Sequence, residues 1–300
     1  METIKNFEQV LDMLAERGTR SQVAVVWPAD EATREAVASA LAEGFIHAIL
    51  IGCGEDCLRD NEIAPYKDHV TVMDAENAID AAEKAVQLVR EGKADILMKG
   101  MINTDDLLRP ILNKEKGILK PGAVLTHLTC VEIPTYPRLL LFGDAAVIPF
   151  PNDEQRHAQV KTMAHIGRAM GIECPRIALV HCSEKVDPRH FPYTDDYMRI
   201  KEMAKAGEFG RCIVDGPLDV KVACNKEAMV HKGINSPLRG KADALLFPNI
   251  EAANTFYKTL TLFCGGVTAG FLKGADVTVV VPSRGDSVQS KLYSLALAAL

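Results

Sequence analysis

The feature that most restricts how this 300-residue chain folds is an alternation of short, apolar, β-rich runs with helical stretches. Residues 23–27, 47–52, 70–73 and 95–98 read as strands. Between the first two, residues 30–43 read as a helix that begins at a proline and an acidic cap. Residues 74–91 form a second helix, with Ala78, Ile79, Ala82, Val86 and Val89 spaced for one apolar face. Residues 104–113 form a third, whose threonine and acidic first turn suit an N-terminus. Such an alternation builds a parallel sheet with helices on both faces.

A proline-rich stretch then interrupts the pattern at Pro134, Pro137, Pro149 and Pro151, with an apolar strand at 138–142. A second series follows. Helices are expected at 154–170, 194–206, 226–231 and 250–263, and strands at 176–180, 212–215 and 244–247. Two apolar runs at 267–272 and 277–281 precede a last helix at 286–299, which carries Val288, Leu292, Leu295 and Ala299 on one face. No flexible linker separates the halves, so the sequence predicts two closely packed domains with a ligand cleft between them.

Charge narrows the function. Forty acidic against 34 basic residues give a net charge of −6, which argues against a nucleic-acid binder. No run of ~18 apolar residues is present, so no membrane span is expected. The start of the chain is charged and lacks the apolar core of an export signal. Eight scattered cysteines show no disulfide framework. The expected compartment is therefore the cytoplasm.

Four loops at predicted strand ends could carry chemistry, because open α/β sheets bind ligands there. Lys99 and Gly100 join a strand to the helix opening at Thr104, an arrangement suited to phosphate. Gly216 and Pro217 end another strand, where glycine allows close backbone approach and proline stiffens the turn. Asn254 and Lys258 lie one helical turn apart and share a face. Ser283, Arg284, Asp286 and Ser287 follow the last strand. Arg284 offers a bidentate phosphate clamp, and Asp286 or Ser287 can cap the final helix. The other signals are structural or incomplete. Gly52-Cys53-Gly54 lacks the remainder of a dinucleotide fingerprint. His181-Cys182 reads as a strand-end histidine beside a buried cysteine, and no zinc spacing or serine-nucleophile elbow occurs. No metal site and no prosthetic group is expected.

These loops occur in an order that resembles the phosphate acetyltransferase/phosphate butyryltransferase family, its butyryltransferase branch in particular. The carrying segments are 94–100 with Thr104 and 107–109, then 214–218, 231–234 with Ser236-Pro237, 242–251 with Asn254 and Tyr257-Lys258, and 283–287 with 290–292. The resemblance implies two three-layer α/β/α domains with largely parallel sheets, like isocitrate and isopropylmalate dehydrogenases. The first domain would comprise 1–133 and 265–300, the second, inserted one 134–264.

It also implies conversion of a short-chain acyl-CoA and phosphate to acyl phosphate and CoA. The transfer would be direct, within a ternary complex, with CoA a substrate and the protein a homo-oligomer. Arg284 would bind the transferring phosphate, and Ser283 would bond the developing oxyanion or the phosphate. Lys99, Thr104, Gly216, Pro217, Asn254 and Lys258 would bind substrate. The family's acid/base Asp stands seven residues after the motif Ser, a position that is Ser290 here, so Asp286 becomes the candidate. Lys221 likewise stands where the family usually has Asp, and Ala253 replaces a Gly. Two other readings are an NAD- and metal-dependent hydroxy-acid dehydrogenase of the same fold and a non-catalytic acyl-CoA-binding member.

Overall fold

The computed structural model describes residues 3–283 and 285–300, with the side chains of Glu55 and Asp56 left aside. Elements are numbered in chain order. The chain divides into two compact units. The terminal unit holds Phe7–Leu125 and Thr268–Leu300. The middle unit holds Thr126–Val267 and the start of the chain up to Asn6. The boundaries thus fall at 125/126 and 267/268, where the resemblance implies 133/134 and 264/265. Backbone bonding ties the chain start to the middle unit, since Ile4 N–H donates to Met170 O at 3.1 Å.

The terminal unit contains α1 (Phe7–Arg17), β1 (Ser21–Val26), α2 (Glu31–Ala42), β2 (Ile46–Ile51), β3 (Val70–Met73), α3 (Ala78–Arg90), β4 (Ile96–Lys99) and α4 (Thr104–Ile111). It is completed by β10 (Val267–Lys273), β11 (Thr278–Val280) and α10 (Val288–Ala298). Its strands lie in the order β3-β2-β1-β4-β11-β10, parallel except for the β10–β11 hairpin. The chain steps outward from β1 to β3 and then returns to place β4 on the other side of β1. Right-handed crossovers in opposite directions put α2 and α3 on opposite faces. Accordingly α10 packs on α1 and α2, while α3 packs on α4. The point where strand order reverses, between β1 and β4, is where open α/β sheets form a ligand crevice.

The middle unit contains β5 (Thr126–Glu132), β6 (Leu140–Gly143), α5 (Asp153–Ala169), β7 (Arg176–Val180), α6 (Tyr193–Lys205), β8 (Ile213–Leu218), α7 (Val220–Cys224), α8 (Lys226–His231), β9 (Ala244–Leu246) and α9 (Ile250–Phe263). Its strand order is β5-β6-β9-β7-β8, with only the β5–β6 pair antiparallel. Its core includes Phe142, Phe247 and Phe256, whose rings meet edge-on or tilted at 5.0–6.3 Å.

Three elements escaped the pattern reading. In α1, Phe7, Val10, Leu11 and Leu14 are buried at helical spacing. In β5, the polar Thr126, His127 and Thr129 are buried alongside Leu128 and Cys130, which hides the strand from an apolar-run criterion. In α7, only five residues are helical, too few to show a period. One face also differs. Ile79 is 44% exposed, and α3 buries Ala81, Ala85 and Leu88 with Ala82, Val86 and Val89 instead. The last helix is buried nearly all round, from Tyr293 to Ala298, rather than along one stripe.

Candidate functional site

Lys99 is the last residue of β4 and is only 5% exposed. Its Nζ donates to Gly100 O at 3.3 Å. Gly100 and Met101 dock on the end of β1: Gly100 N–H donates to Val26 O at 2.9 Å and Met101 N–H to Trp27 O at 2.8 Å. Glycine is required here, because a Cβ would fall 2.5 Å from the carbonyl oxygens of both Val26 and Trp27. Lys99 thus stands at the reversal of strand order. Gly100→Ala should lower stability by about 1–3 kcal/mol through this overpacking. Urea unfolding checks it, and an unchanged midpoint would show that the loop yields without cost. Thr104 is exposed on the first turn of α4, beside Asp105 and Asp106. Those carboxylates already occupy the favourable end of the helix dipole, leaving the anion-binding charge of this loop to Lys99.

The segment after β11 comes to the same end of the same sheet, because β11 runs parallel to β4 with Val280 opposite Met98. Ser283 is exposed. Its N–H donates to Asp286 Oδ2 at 2.7 Å, and Asp286 N–H returns a bond to Ser283 O at 3.1 Å. Asp286 therefore closes the turn that presents Ser283. Ser287 is the helix cap, accepting from Ser290 N–H at 3.1 Å. Arg284 lies outside the described residues.

Asn254 and Lys258 lie on α9, within the middle unit. Asn254 Nδ2 donates to Ala145 O at 3.0 Å and so holds the loop after β6. That loop is organised by buried Asp144, which the sequence reading missed. One carboxylate oxygen accepts from Thr126 Oγ1 and His127 N–H at 3.0 and 2.9 Å. The other accepts from Ala146 and Val147 N–H at 2.9 and 2.8 Å. The only sequence signal was an acidic residue at the end of an apolar strand. Lys258 is exposed, with its Nζ 4.3 Å from the Tyr257 ring centroid.

Gly216 and Pro217 do not end a strand, contrary to the sequence reading; they lie inside β8, at an irregularity in its pairing with β7. A Cβ on Gly216 would meet Leu179 at 2.6 Å, and the Gly216 carbonyl accepts from Lys201 Nζ at 3.1 Å. Lys201 also pairs with Asp215 at 2.7 Å. Asp219 caps α7 and pairs with Lys232 at 2.5 Å. Burial raises its carboxyl pKa, but the bonds from Lys232 and Val222 N–H outweigh this and hold it below the usual range. Lys221 is exposed on α7. His181 bonds Tyr193 Oη through Nδ1 at 2.9 Å, and burial pushes its pKa down. Its neighbour Cys182 is exposed rather than buried. Among the described residues, no group of three or more His, Cys, Asp or Glu side chains is placed to hold a metal ion, and no helix is long and apolar enough to cross a membrane.

Residues 64–299 match the family model described as "Phosphate acetyl/butaryl transferase". The chain belongs to this family. It is a transferase of the phosphotransacylase class, a class that acts on CoA substrates. A phosphate butyryltransferase of Clostridium acetobutylicum is 37% identical over 298 residues, covering 99% of this chain and 98% of that one. The crystal structure of a branched-chain phosphotransacylase from Enterococcus faecalis V583 is 30% identical, covers 93% of this chain and 97% of its own, and superposes with a TM-score of 0.79. A 4-hydroxythreonine-4-phosphate dehydrogenase from Klebsiella pneumoniae covers 93% of this chain and 98% of its own, at 12% identity and a TM-score of 0.51. It shares the fold, and the dehydrogenase reading is not favoured.

Proposed function

We propose that this transferase moves a short acyl group, butyryl or a branched equivalent, directly between CoA and phosphate at the carboxyl ends of β4 and β11. The observation that supports this reading is a buried lysine at the strand-order reversal, beside the segment that carries Ser283. A phosphate oxygen attacks the thioester carbonyl, the thiolate leaves, and acyl phosphate is released. In reverse, the CoA thiolate attacks the acyl phosphate carbonyl and phosphate leaves. Lys99 and Arg284 offset the phosphate charge, and the Ser283 hydroxyl donates to the carbonyl oxygen as it becomes an oxyanion. Holding both substrates in attack geometry supplies most of the acceleration. Asn254, Lys258 and Thr104 bind substrate. Gly216 and Pro217 act indirectly, by shaping β8.

Incubation of the protein with phosphate and butyryl-CoA, following free thiol with a chromogenic reagent, tests the reading. Release of CoA, fastest with four- or five-carbon acyl groups, is expected. No release with acetyl-, propionyl-, butyryl- or branched acyl-CoA would overturn it.

Asp286 is proposed to take the CoA thiol proton in the acyl phosphate to acyl-CoA direction. A thiol of pKa about 8.5 is a few per cent ionised at pH 7, so a base gains at most ~30-fold there. Asp286→Asn keeps an oxygen to receive Ser283 N–H but removes the base. Its rate should fall about tenfold at pH 7 and recover as pH rises to about 9, because solvent then ionises the thiol. A pH-independent deficit would mean that Asp286 only holds the turn.

A further inference from the structure

We infer that Asp30 and Lys291 are positioning residues, whose ion pair locks the Ser283 turn to the loop after β1 and so to the Lys99 loop. This rests on the acyl-transfer reading above. Lys291 lies in the first turns of α10, where its N–H donates to Ser287 O at 3.1 Å. Its side chain is only 4% exposed. Nζ donates to Asp30 Oδ1 at 3.1 Å and lies 3.4 Å from Thr33 Oγ1. Asp30 is in turn the N-cap of α2, accepting from Thr33 N–H at 2.9 Å and Thr33 Oγ1 at 2.8 Å. Three residues before Asp30, Trp27 O holds Met101 N–H, and Val26 O holds Gly100 N–H. The stretch 26–30 therefore grips both chemistry-bearing loops, one by backbone bonds and the other by an ion pair whose lysine is buried.

Stability does not require a charge pair at this place. An apolar side chain in place of Lys291 would pack about as well, since desolvating the buried ammonium offsets much of the pair's attraction. What an ion pair adds is direction: an ammonium on a capped carboxylate fixes the rotation of α10 and hence the placement of the turn before it. A shift of about 1 Å at such a point costs up to ~10²-fold in rate.

Two variants test the lock. Lys291→Met removes the charge at near-constant volume. Asp30→Asn keeps a good helix cap. Each should lower kcat about tenfold, leave KM for acyl-CoA within about twofold, and leave the protein folded by circular dichroism. The double variant should be no worse than either single, because both remove one interaction. Amide exchange at Ser283 and Asp286 should accelerate in each variant, and the emission of Trp27, the single tryptophan, should shift. These two readouts need no turnover. Wild-type protein that releases no CoA would therefore sink the acyl-transfer reading while still showing whether the lock exists. Wild-type kcat together with unchanged exchange in folded Lys291→Met would overturn the inference, as would losses that multiply in the double variant. Should Lys291→Met fail to fold, Asp30→Asn carries the same comparison.

Discussion

Arg284→Ala should lower turnover about 10²-fold or more, because a guanidinium that meets the transferring phosphate is worth most when charge is moving through that group. In the forward direction the phosphate gives up negative charge to the acyl oxygen. In the reverse direction it recovers that charge as the leaving group. A planar fork can hold two phosphate oxygens throughout, which a lysine cannot do. Arg284→Lys should therefore restore only part of the rate. The measurement is CoA release at saturating acyl-CoA across a range of phosphate concentrations. A fall in kcat larger than any rise in KM for phosphate identifies stabilisation specific to the transition state. An unchanged rate would remove Arg284 from the mechanism.

Lys99→Met should cost about as much, ~10²-fold, for a different reason. Burying an ammonium is costly. Lys99 is placed at the end of β4, where loop chemistry, strand order and the docking of Gly100 on β1 all converge. A phosphate bound there would gain a charge-assisted bond in surroundings that water screens poorly. Methionine keeps most of the volume and removes the charge, so the variant should lose turnover while circular dichroism shows it folded. Saturating phosphate should restore little if the lysine acts mainly on the transition state. A rate within about twofold of wild type would assign Lys99 a structural role.

The strand at Val70–Met73 and the helices at Lys226–His231 and Ile250–Phe263 match their sequence-derived bounds, because apolar spacing and Asn caps are local signals. β5 was not legible, since its strand start is polar and buried, with Thr126 Oγ1 and the His127 N–H donating to Asp144 beyond the next strand. Gly216-Pro217 differs from its sequence pattern for a related reason. Gly-Pro ordinarily marks a turn, but here the close approach of Leu179 demands glycine within the strand. Spacing alone allows either Asp286 or Ser287 to cap α10, and only side-chain geometry separates the two roles.

The sequence by itself determined the layered α/β architecture, the order of the four chemistry-bearing loops and the family they resemble, because periodicity, caps and motif order are properties of neighbouring residues. Tertiary structure decided which loops meet. The return of β4 past β1 and the parallel pairing of β11 with β4 bring residues 99 and 283 to one end of one sheet. It also decided that Asp30 and Lys291, 261 positions apart, form one ion pair. Strand order and long-range ion pairs depend on the whole chain closing on itself, and no local spacing encodes them.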